Sequence, residues 1–305
     1  KNYTVNSTRE SNMHQLYINS SLITGVWDAI YSRYLVEIMR HGTYFEGRNG
    51  GTKAVFGASV TVDLRSGFPL TQLRKMPIKN LFREFLFDIG FDQNVSALGP
   101  AKHFWDFLAD EDGNLGASAY NRQWRMWPPS VPEAAVANEH LTNVEVDQLQ
   151  RVIELLRKTP NSRHGTVITH NPTAINPACP PCHLGMQFSS SGEGHLDLMV
   201  PARSNDMVVG FPLDIARYAI ILSVIAKAVG MEARYVYMPS ANSHIYANCF
   251  DIADDVARGE AKTDPRLIIQ PEWDSTHSFP LDNLTLDHFG IAGYDPSPAV
   301  KVPVN

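Results

Sequence analysis

The sequence predicts an α+β fold in which helices surround a mixed sheet within one domain. Segments of helical periodicity alternate with strand-like segments, and the chain carries neither a dinucleotide-binding glycine fingerprint nor an internal repeat. The chain has 305 residues with 44% hydrophobic composition, which is enough to bury a large core. We expect a polar N-terminal arm over residues 1–15 and a single domain over residues 16–305.

The first two thirds of the chain predict three helices and one long strand. Thr24 to Arg40 has helical spacing, and Lys53 to Leu64 alternates as a strand does. Ile78 to Asp88 returns to helical spacing. Asn143 to Lys158 is amphipathic, and its helix is expected to stop before Pro160.

The remaining third predicts a hairpin followed by a buried helix. Met186 to Phe188 and His195 to Val200 flank the turn sequence Ser-Gly-Glu-Gly at 191–194. Asp214 to Val229 is apolar on nearly all sides, which is typical of a central buried helix. Gly230 is placed to terminate that helix.

Composition excludes several classes of protein. The net charge is −6, so a large nucleic-acid-binding surface is not expected and an anionic ligand would need local arginines. Apolar runs are shorter than a membrane span, and we expect neither a span nor a signal peptide. Three cysteines give no disulfide framework, which favours a cytoplasmic location, and no metal is expected.

A cysteine held between prolines and a histidine is the leading candidate for chemistry. Prolines restrict the loop Pro180-Pro181-Cys182-His183, and Arg203 follows Cys182 after 21 residues. A nearby arginine favours the thiolate and also binds anions. Two alternatives stay open: a buried structural cysteine, or a redox or metal pair with Cys179, although zinc would need two further ligands.

The motifs around this cysteine closely resemble those of the thymidylate synthase family. The resemblance runs from about Val26 to the carboxyl end. It rests on RNGGTKAVFG at 48–57, SGFPLTQLRK at 66–75, FWDFLADEDGNLG at 104–116, YNRQWR at 120–125, PPCH at 180–183, RSND at 203–206, GFPLDIARY at 210–218, HIYAN at 244–248 and GYDPSPAVKVPV at 293–304. It implies a sheet that dimerises back to back, a nucleoside monophosphate substrate and 5,10-methylenetetrahydrofolate as co-substrate.

The resemblance implies roles for the residues nearest the reaction. Cys182 matches the nucleophile that adds to C6 of a pyrimidine and makes C5 nucleophilic. Glu84 matches a glutamate that organises water and proton transfer, and Tyr120 belongs to the same polar network. His183 is expected to shape the loop rather than to transfer protons.

The phosphate site implied by the resemblance is built from two subunits. Arg48, Arg203 and Ser204 match residues that hold the phosphate, and Arg163 matches one that is donated by the partner subunit. His164 stands where the family has a second arginine, which weakens one phosphate contact or makes it sensitive to pH.

Sugar and folate sites are implied in the same way. His244 and Tyr246 match residues that hydrogen-bond the 3′-hydroxyl, and alternate strand positions point to one face. Asp206 matches a carboxylate between the nucleotide and the pterin, and Trp105 and Gly210 are expected against the folate. Trp105 also fits simple core packing.

Asp214 is the departure that changes the predicted substrate. The family has asparagine at this position, whose amide complements N3–H and O4 of uracil. An aspartate that shares a proton with N3 instead complements N3 and the N4 amino group of cytosine. This change resembles the deoxycytidylate hydroxymethylases, although aspartate and asparagine are also both favoured at a helix start.

We therefore predict a homodimeric cytidylate 5-hydroxymethyltransferase that acts on dCMP or CMP and quenches its intermediate with water. Leu108 and Asn242 replace a tryptophan and an aspartate of many synthases, which fits a rebuilt pocket that admits water. The alternatives are a thymidylate synthase, a dUMP hydroxymethylase, or a catalytically silent nucleotide- or RNA-binding relative. The intact cysteine argues against the last of these.

Overall fold

The predicted α+β fold is confirmed by the computed structural model, in which helices pack on a large mixed sheet. The structure describes residues 13–47, 49–116, 119–127, 145–172, 180–190, 192–270 and 280–303. Residues 1–12 of the expected N-terminal arm lie outside these ranges, and the first strand begins at His14. Among the described residues, no helix is both long enough and apolar enough to span a bilayer.

Within the described residues the sheet contains nine strands. Seven of them lie side by side in the order β2-β1-β4-β9-β7-β6-β5, while β3 pairs with β4 and β8 pairs with β9. Their bounds are β1 His14–Ile18, β2 Ser21–Gly25, β3 Thr43–Gly47, β4 Gly50–Asp63, β5 Gly165–Ile168, β6 Gly185–Ser190, β7 His195–Met199, β8 Asn205–Asp206 and β9 Glu232–Tyr246; β10 Arg266–Ile269 and β11 Phe289–Ala292 form a separate ribbon. Strands β7 and β8 both run parallel to β9, whereas the other pairs in the large sheet are antiparallel.

In the part of the chain that the structure describes, six α-helices accompany the sheet: α1 Trp27–His41, α2 Ile78–Ile89, α3 Tyr120–Arg125, α4 Gln148–Lys158, α5 Phe211–Ala228 and α6 Phe250–Ala257. Short 3₁₀ segments include Val95–Phe104 and Asp106–Leu108. Helix α5 is buried along most of its length, as its apolar sequence predicts, and Gly230 follows it with φ of +72°.

The expected elements are largely confirmed, with two helix starts displaced. The first helix begins at Trp27 rather than Thr24, because Ser21–Gly25 pairs with β1 instead. The amphipathic helix begins at Gln148 rather than Asn143, because the Asp147 side chain accepts the Gln150 N–H and caps it there. The predicted hairpin is present as β6 and β7.

One face of the sheet is partly exposed in the single chain. A row of partly or fully exposed residues crosses six adjacent strands in register: Gln15, Thr61, Tyr237, Met199, Gln187 and Thr166. Tyr17 and Ile168 extend this row as exposed apolar side chains. The alternating residues, such as Val60 and Val236, are buried in the core. We call this the outer sheet face.

Candidate active site

A cavity of about 290 Å³ lies where α2, the start of α5 and the Pro180–Cys182 loop meet. It brings together six residues that sequence analysis placed in the site: Glu84, Trp105, Tyr120, Cys182, Asp206 and Gly210. Its other walls are mainly apolar and consist of Phe104, Phe107, Leu108, Pro180, Pro181, Val209 and Leu213. Such a pocket, with a few convergent polar groups, suits a planar ligand of small-molecule size.

The Cys182 thiol is half-buried at the cavity and lies beside a cation. Arg203 Nη2 lies 3.6 Å from Cys182 Sγ, and the same guanidinium donates to the carbonyl oxygens of Pro181 and Pro180 at 2.8 and 2.5 Å. Arg203 therefore fixes the loop and stabilises a thiolate at its tip. By contrast, Cys249 is buried, and burial raises the pKa of its thiol to about 11.

The third cysteine, Cys179, which belongs to the alternative cysteine pair, lies outside the described residues. Within the described ranges, no group of three or more His, Cys, Asp or Glu side chains is arranged to hold a metal ion.

Tyr120 and His183 form a buried pair behind the thiol. The Tyr120 hydroxyl accepts the His183 N–H at 3.4 Å and lies 3.4 Å from His183 Nδ1. Burial, together with the positive charge of Arg217, lowers the pKa of His183 to about 3. The imidazole is therefore neutral near neutral pH.

Asp206 and His244 are neighbours because β8 runs parallel to β9 at that point. The Asp206 carboxylate accepts the backbone N–H groups of Val208 and Val209 at 3.0 and 3.1 Å, which fixes it at the cavity wall. The His244 ring lies against the Tyr246 ring with centroids 4.9 Å apart. The two expected sugar-binding side chains thus share one face of β9, next to the carboxylate.

Asp214 lies next to Gly210, which lines the cavity, and is itself not among the lining residues. Its side chain is 21% exposed, in the first turn of α5, where the helix dipole favours a carboxylate. Asp214 Oδ2 lies beside the cavity-lining Gly210, where an added Cβ would approach that oxygen to 3.3 Å. Gly210 therefore leaves room next to this oxygen.

A buried arginine binds the other oxygen, and sequence analysis missed it. Arg217 is 2% exposed, and its Nη2 donates to Asp214 Oδ1 at 2.8 Å. Its Nη1 donates to Glu84 Oε1 at 2.6 Å and lies 3.0 Å from Asp88 Oδ2, which accepts no hydrogen bond from the described residues. We call Arg217 and these three carboxyl groups the arginine cluster.

The arginine cluster places one cation among three acids in a dry environment. Burial raises the pKa of Glu84, Asp88 and Asp214, and the charge of Arg217 partly opposes this. The pKa of Asp88 rises to about 7. Because full ionisation would leave an excess of buried negative charge, Asp88 keeps its proton to a higher pH than an ordinary carboxyl group does.

The sequence contained a signal for this cluster. Asp214 and Arg217 are three residues apart on an otherwise apolar helix, and Glu84 and Asp88 are four apart on α2. Charged pairs with helical spacing on buried helices are costly unless they meet partners across the core.

Of the four expected phosphate residues, the three that the structure describes, Arg163, Arg203 and Ser204, are not among the residues that line the cavity. Arg48 lies outside the described residues. Arg163 is exposed beyond the start of β5, where Gly165 pairs with Phe188, whereas Cys182 lies beyond the opposite end of the ladder, where Ile168 pairs with Gly185. Ser204 is half-buried next to Arg203. Arg163 thus lies at the far end of the β5–β6 ladder from the thiol of its own chain.

A family model described as thymidylate synthase matches residues 29–305, which is most of the chain. The match confirms the family resemblance of the motifs. Enzymes of that family transfer a one-carbon unit from methylenetetrahydrofolate to C5 of a nucleotide.

The raised pKa of Asp88 predicts a pH-dependent stability. The folded state binds this proton more tightly than the unfolded chain does, so the free energy of unfolding falls as the pH rises from about 4 to about 7. Asp88→Asn keeps the shape and cannot ionise. It should raise the melting temperature by a few degrees at pH 8 and change it little at pH 5.

The control for this measurement is Asp254→Asn, which changes an exposed carboxylate on α6. It should give the same small shift at both pH values. An equal effect of Asp88→Asn at pH 5 and pH 8 would contradict a proton held in the arginine cluster.

Proposed function

Because the chain belongs to the thymidylate synthase family, we propose that it is a cytidylate 5-hydroxymethyltransferase. It transfers a one-carbon unit from 5,10-methylenetetrahydrofolate to C5 of dCMP or CMP and completes the reaction with water. The observation that carries this proposal is an aspartate, Asp214, at the position where the family resemblance expects the base-reading asparagine. Its Oδ2 atom lies beside Gly210, which lines the cavity.

In this proposal Cys182 begins the reaction. Its thiolate forms a bond to C6, and the electron pair of the C5–C6 double bond makes C5 a nucleophile. Arg203 supports the step because its guanidinium lies 3.6 Å from the sulfur. The co-substrate supplies the one-carbon unit that C5 attacks. After C5 loses its proton and the bond between the one-carbon unit and the folate nitrogen breaks, with release of tetrahydrofolate, water adds to the exocyclic methylene carbon. Elimination of the thiolate from C6 then restores the ring.

Asp214 would select the base by its acceptor oxygen. Cytosine presents an N4 amino donor where uracil presents the O4 acceptor, so a carboxylate oxygen attracts the first and repels the second in a dry pocket. Burial raises the pKa of Asp214, which favours sharing a proton with N3 while C6 is attacked. Both effects favour cytidylate.

The remaining cavity residues are assigned by position. Glu84 and Tyr120 line the cavity close to Cys182 and would organise the water and its protons. Trp105, Asp206 and Gly210 would contact the folate, and the mainly apolar wall fits a stacked pterin. Leu108 lies in the same wall, where many synthases carry a tryptophan, and its smaller side chain leaves more space for water.

We propose that the phosphate site is shared between two subunits that meet through the outer sheet face. Arg203 and Ser204 would hold the phosphate from one subunit, together with Arg48. Arg163 would come from the other subunit, which fits its place at the far end of the ladder from its own Cys182. The exposed apolar residues of the outer sheet face, such as Tyr237, provide a surface for dimerisation.

Replacement of the base-reading carboxylate tests the cytidylate assignment. Asp214→Asn keeps the shape but cannot share a proton with N3, so dCMP turnover should fall ~10²-fold or more, as for loss of a general acid. Activity on dUMP relative to dCMP should rise. The measurement is kcat/KM for both nucleotides in both proteins.

A matched control for that experiment is Asp254→Asn on the surface of α6, which should leave both kcat/KM values unchanged. The cytidylate assignment fails if the wild-type enzyme prefers dUMP, or if Asp214→Asn leaves the ratio between dCMP and dUMP unchanged.

Subunit complementation tests the shared phosphate site. Homodimers of Cys182→Ser should lack turnover because the nucleophile is gone, and homodimers of Arg163→Ala should be strongly impaired. In a hybrid of the two variants, one site has both Cys182 and the partner's intact Arg163, so mixing should restore activity.

Each variant alone, taken through the same exchange procedure, is the control. Native mass spectrometry would establish that hybrid dimers have formed. Hybrids that stay as inactive as their parents would rule out a phosphate site shared in this way.

A further inference from the structure

We infer that Arg217 is a positioning residue that fixes which atom of residue 214 reads the base. One oxygen of Asp214 is held by the guanidinium, so the other is directed to the cavity as an acceptor. This inference rests on the proposed cytidylate specificity and adds to it a second residue that determines specificity.

The guanidinium of Arg217 is held from several sides. It donates to Asp214 Oδ1 at 2.8 Å and to Glu84 Oε1 at 2.6 Å, and it also lies within ion-pair distance of Asp88. Its carbon lies 5.4 and 5.6 Å from the ring centroids of Tyr120 and Tyr218. Rotation of the planar group would break these contacts at once, so its orientation is fixed.

A guanidinium has only donors, so the atom of residue 214 that faces it must be an acceptor. In Asp214 this atom is Oδ1, so Oδ2 is the oxygen that does not accept a hydrogen bond from Arg217. His183 Nε2 lies 3.7 Å from Oδ2, beyond hydrogen-bond distance. Oδ2 lies beside Gly210, which lines the cavity, and we infer that this oxygen is the one that meets the base.

Asparagine at position 214 would present the opposite hydrogen-bonding group to the cavity. A carboxamide beside Arg217 would turn its oxygen to the guanidinium and its NH₂ group to the cavity. That donor would complement O4 of uracil instead of the N4 amino group of cytosine. With Arg217 in place, aspartate at position 214 therefore presents an acceptor that complements cytosine, whereas asparagine presents a donor that complements uracil.

Arg217 also ties recognition to the proposed chemistry. The same Nη1 atom that lies near Asp88 donates to Glu84, which lines the cavity. A single buried cation thus sets the positions of the base-reading carboxylate and of the proposed water-organising carboxylate. Movement of this cation would displace both groups together.

The test is Arg217→Lys, which keeps the charge and loses the planar fork. A single ammonium cannot hold Asp214 and Glu84 in the same geometry. Dissociation constants for dCMP and dUMP are measured without folate by calorimetry, for wild type and variant. We expect the preference of wild type for dCMP to fall by about tenfold, as for the loss of one oriented hydrogen bond.

The matched control is Arg65→Lys, because Arg65 also binds a carboxylate through two nitrogens, donating to Asp63 at 2.8 and 2.7 Å away from the cavity. It should leave the preference unchanged. If Arg217→Lys does not fold, the same comparison is made between Asp88→Asn and the double variant Arg217→Lys/Asp88→Asn. Removal of the Asp88 carboxyl group, which lies 3.0 Å from Arg217, leaves one acid fewer for the lysine to neutralise.

The possible results distinguish failure of the proposed function from failure of the positioning role of Arg217. A wild-type enzyme that binds dUMP more tightly than dCMP would overturn the proposed function, and the role of Arg217 with it. A wild-type preference for dCMP that Arg217→Lys leaves intact, with both nucleotides weakened equally, would overturn only the positioning role.

Discussion

The ion pairs of Arg217 with Asp214, Glu84 and Asp88 are the interaction on which the site depends. They join α5 to α2 in the core, next to the cavity that contains Cys182. A buried cation needs such partners because its desolvation is costly, and its removal would leave three carboxyl groups without a counter-charge. The cluster thus fixes the positions of acidic groups that would otherwise be free to relax or to draw in water.

The cluster connects stability, recognition and chemistry through one set of charges. Burial raises the pKa of all three acids, and that of Asp88 to about 7, while the guanidinium keeps one oxygen of Asp214 in place. The thiol side of the cavity is controlled separately, because Arg203 holds the Pro180–Cys182 loop through carbonyl contacts. Two arginines therefore position the two ends of the proposed reaction: nucleophile and base reader.

Sequence patterns predicted the elements that depend on local periodicity. The β6–β7 hairpin, the buried helix α5 and the loop that carries Cys182 all follow from turn residues, apolar spacing and proline. The predicted start of α4 was wrong because the helix begins at Gln148, where the Asp147 side chain caps it. The arginine cluster was missed because α2 and α5 are more than 120 residues apart, and no local pattern shows that their charged faces meet. The distance of Arg163 from Cys182 likewise depends on strand register.

Product analysis of a competition reaction distinguishes hydroxymethylation of a cytidine nucleotide from methylation of a uridine nucleotide. Wild-type enzyme is given dCMP, CMP and dUMP in equal amounts with 5,10-methylenetetrahydrofolate, and the nucleotides and folates are identified by mass spectrometry. We expect a 5-hydroxymethyl product from a cytidine nucleotide, with tetrahydrofolate released. A methylated uridine nucleotide accompanied by dihydrofolate would contradict it, because the final step would then be hydride transfer on a base that Asp214 should reject.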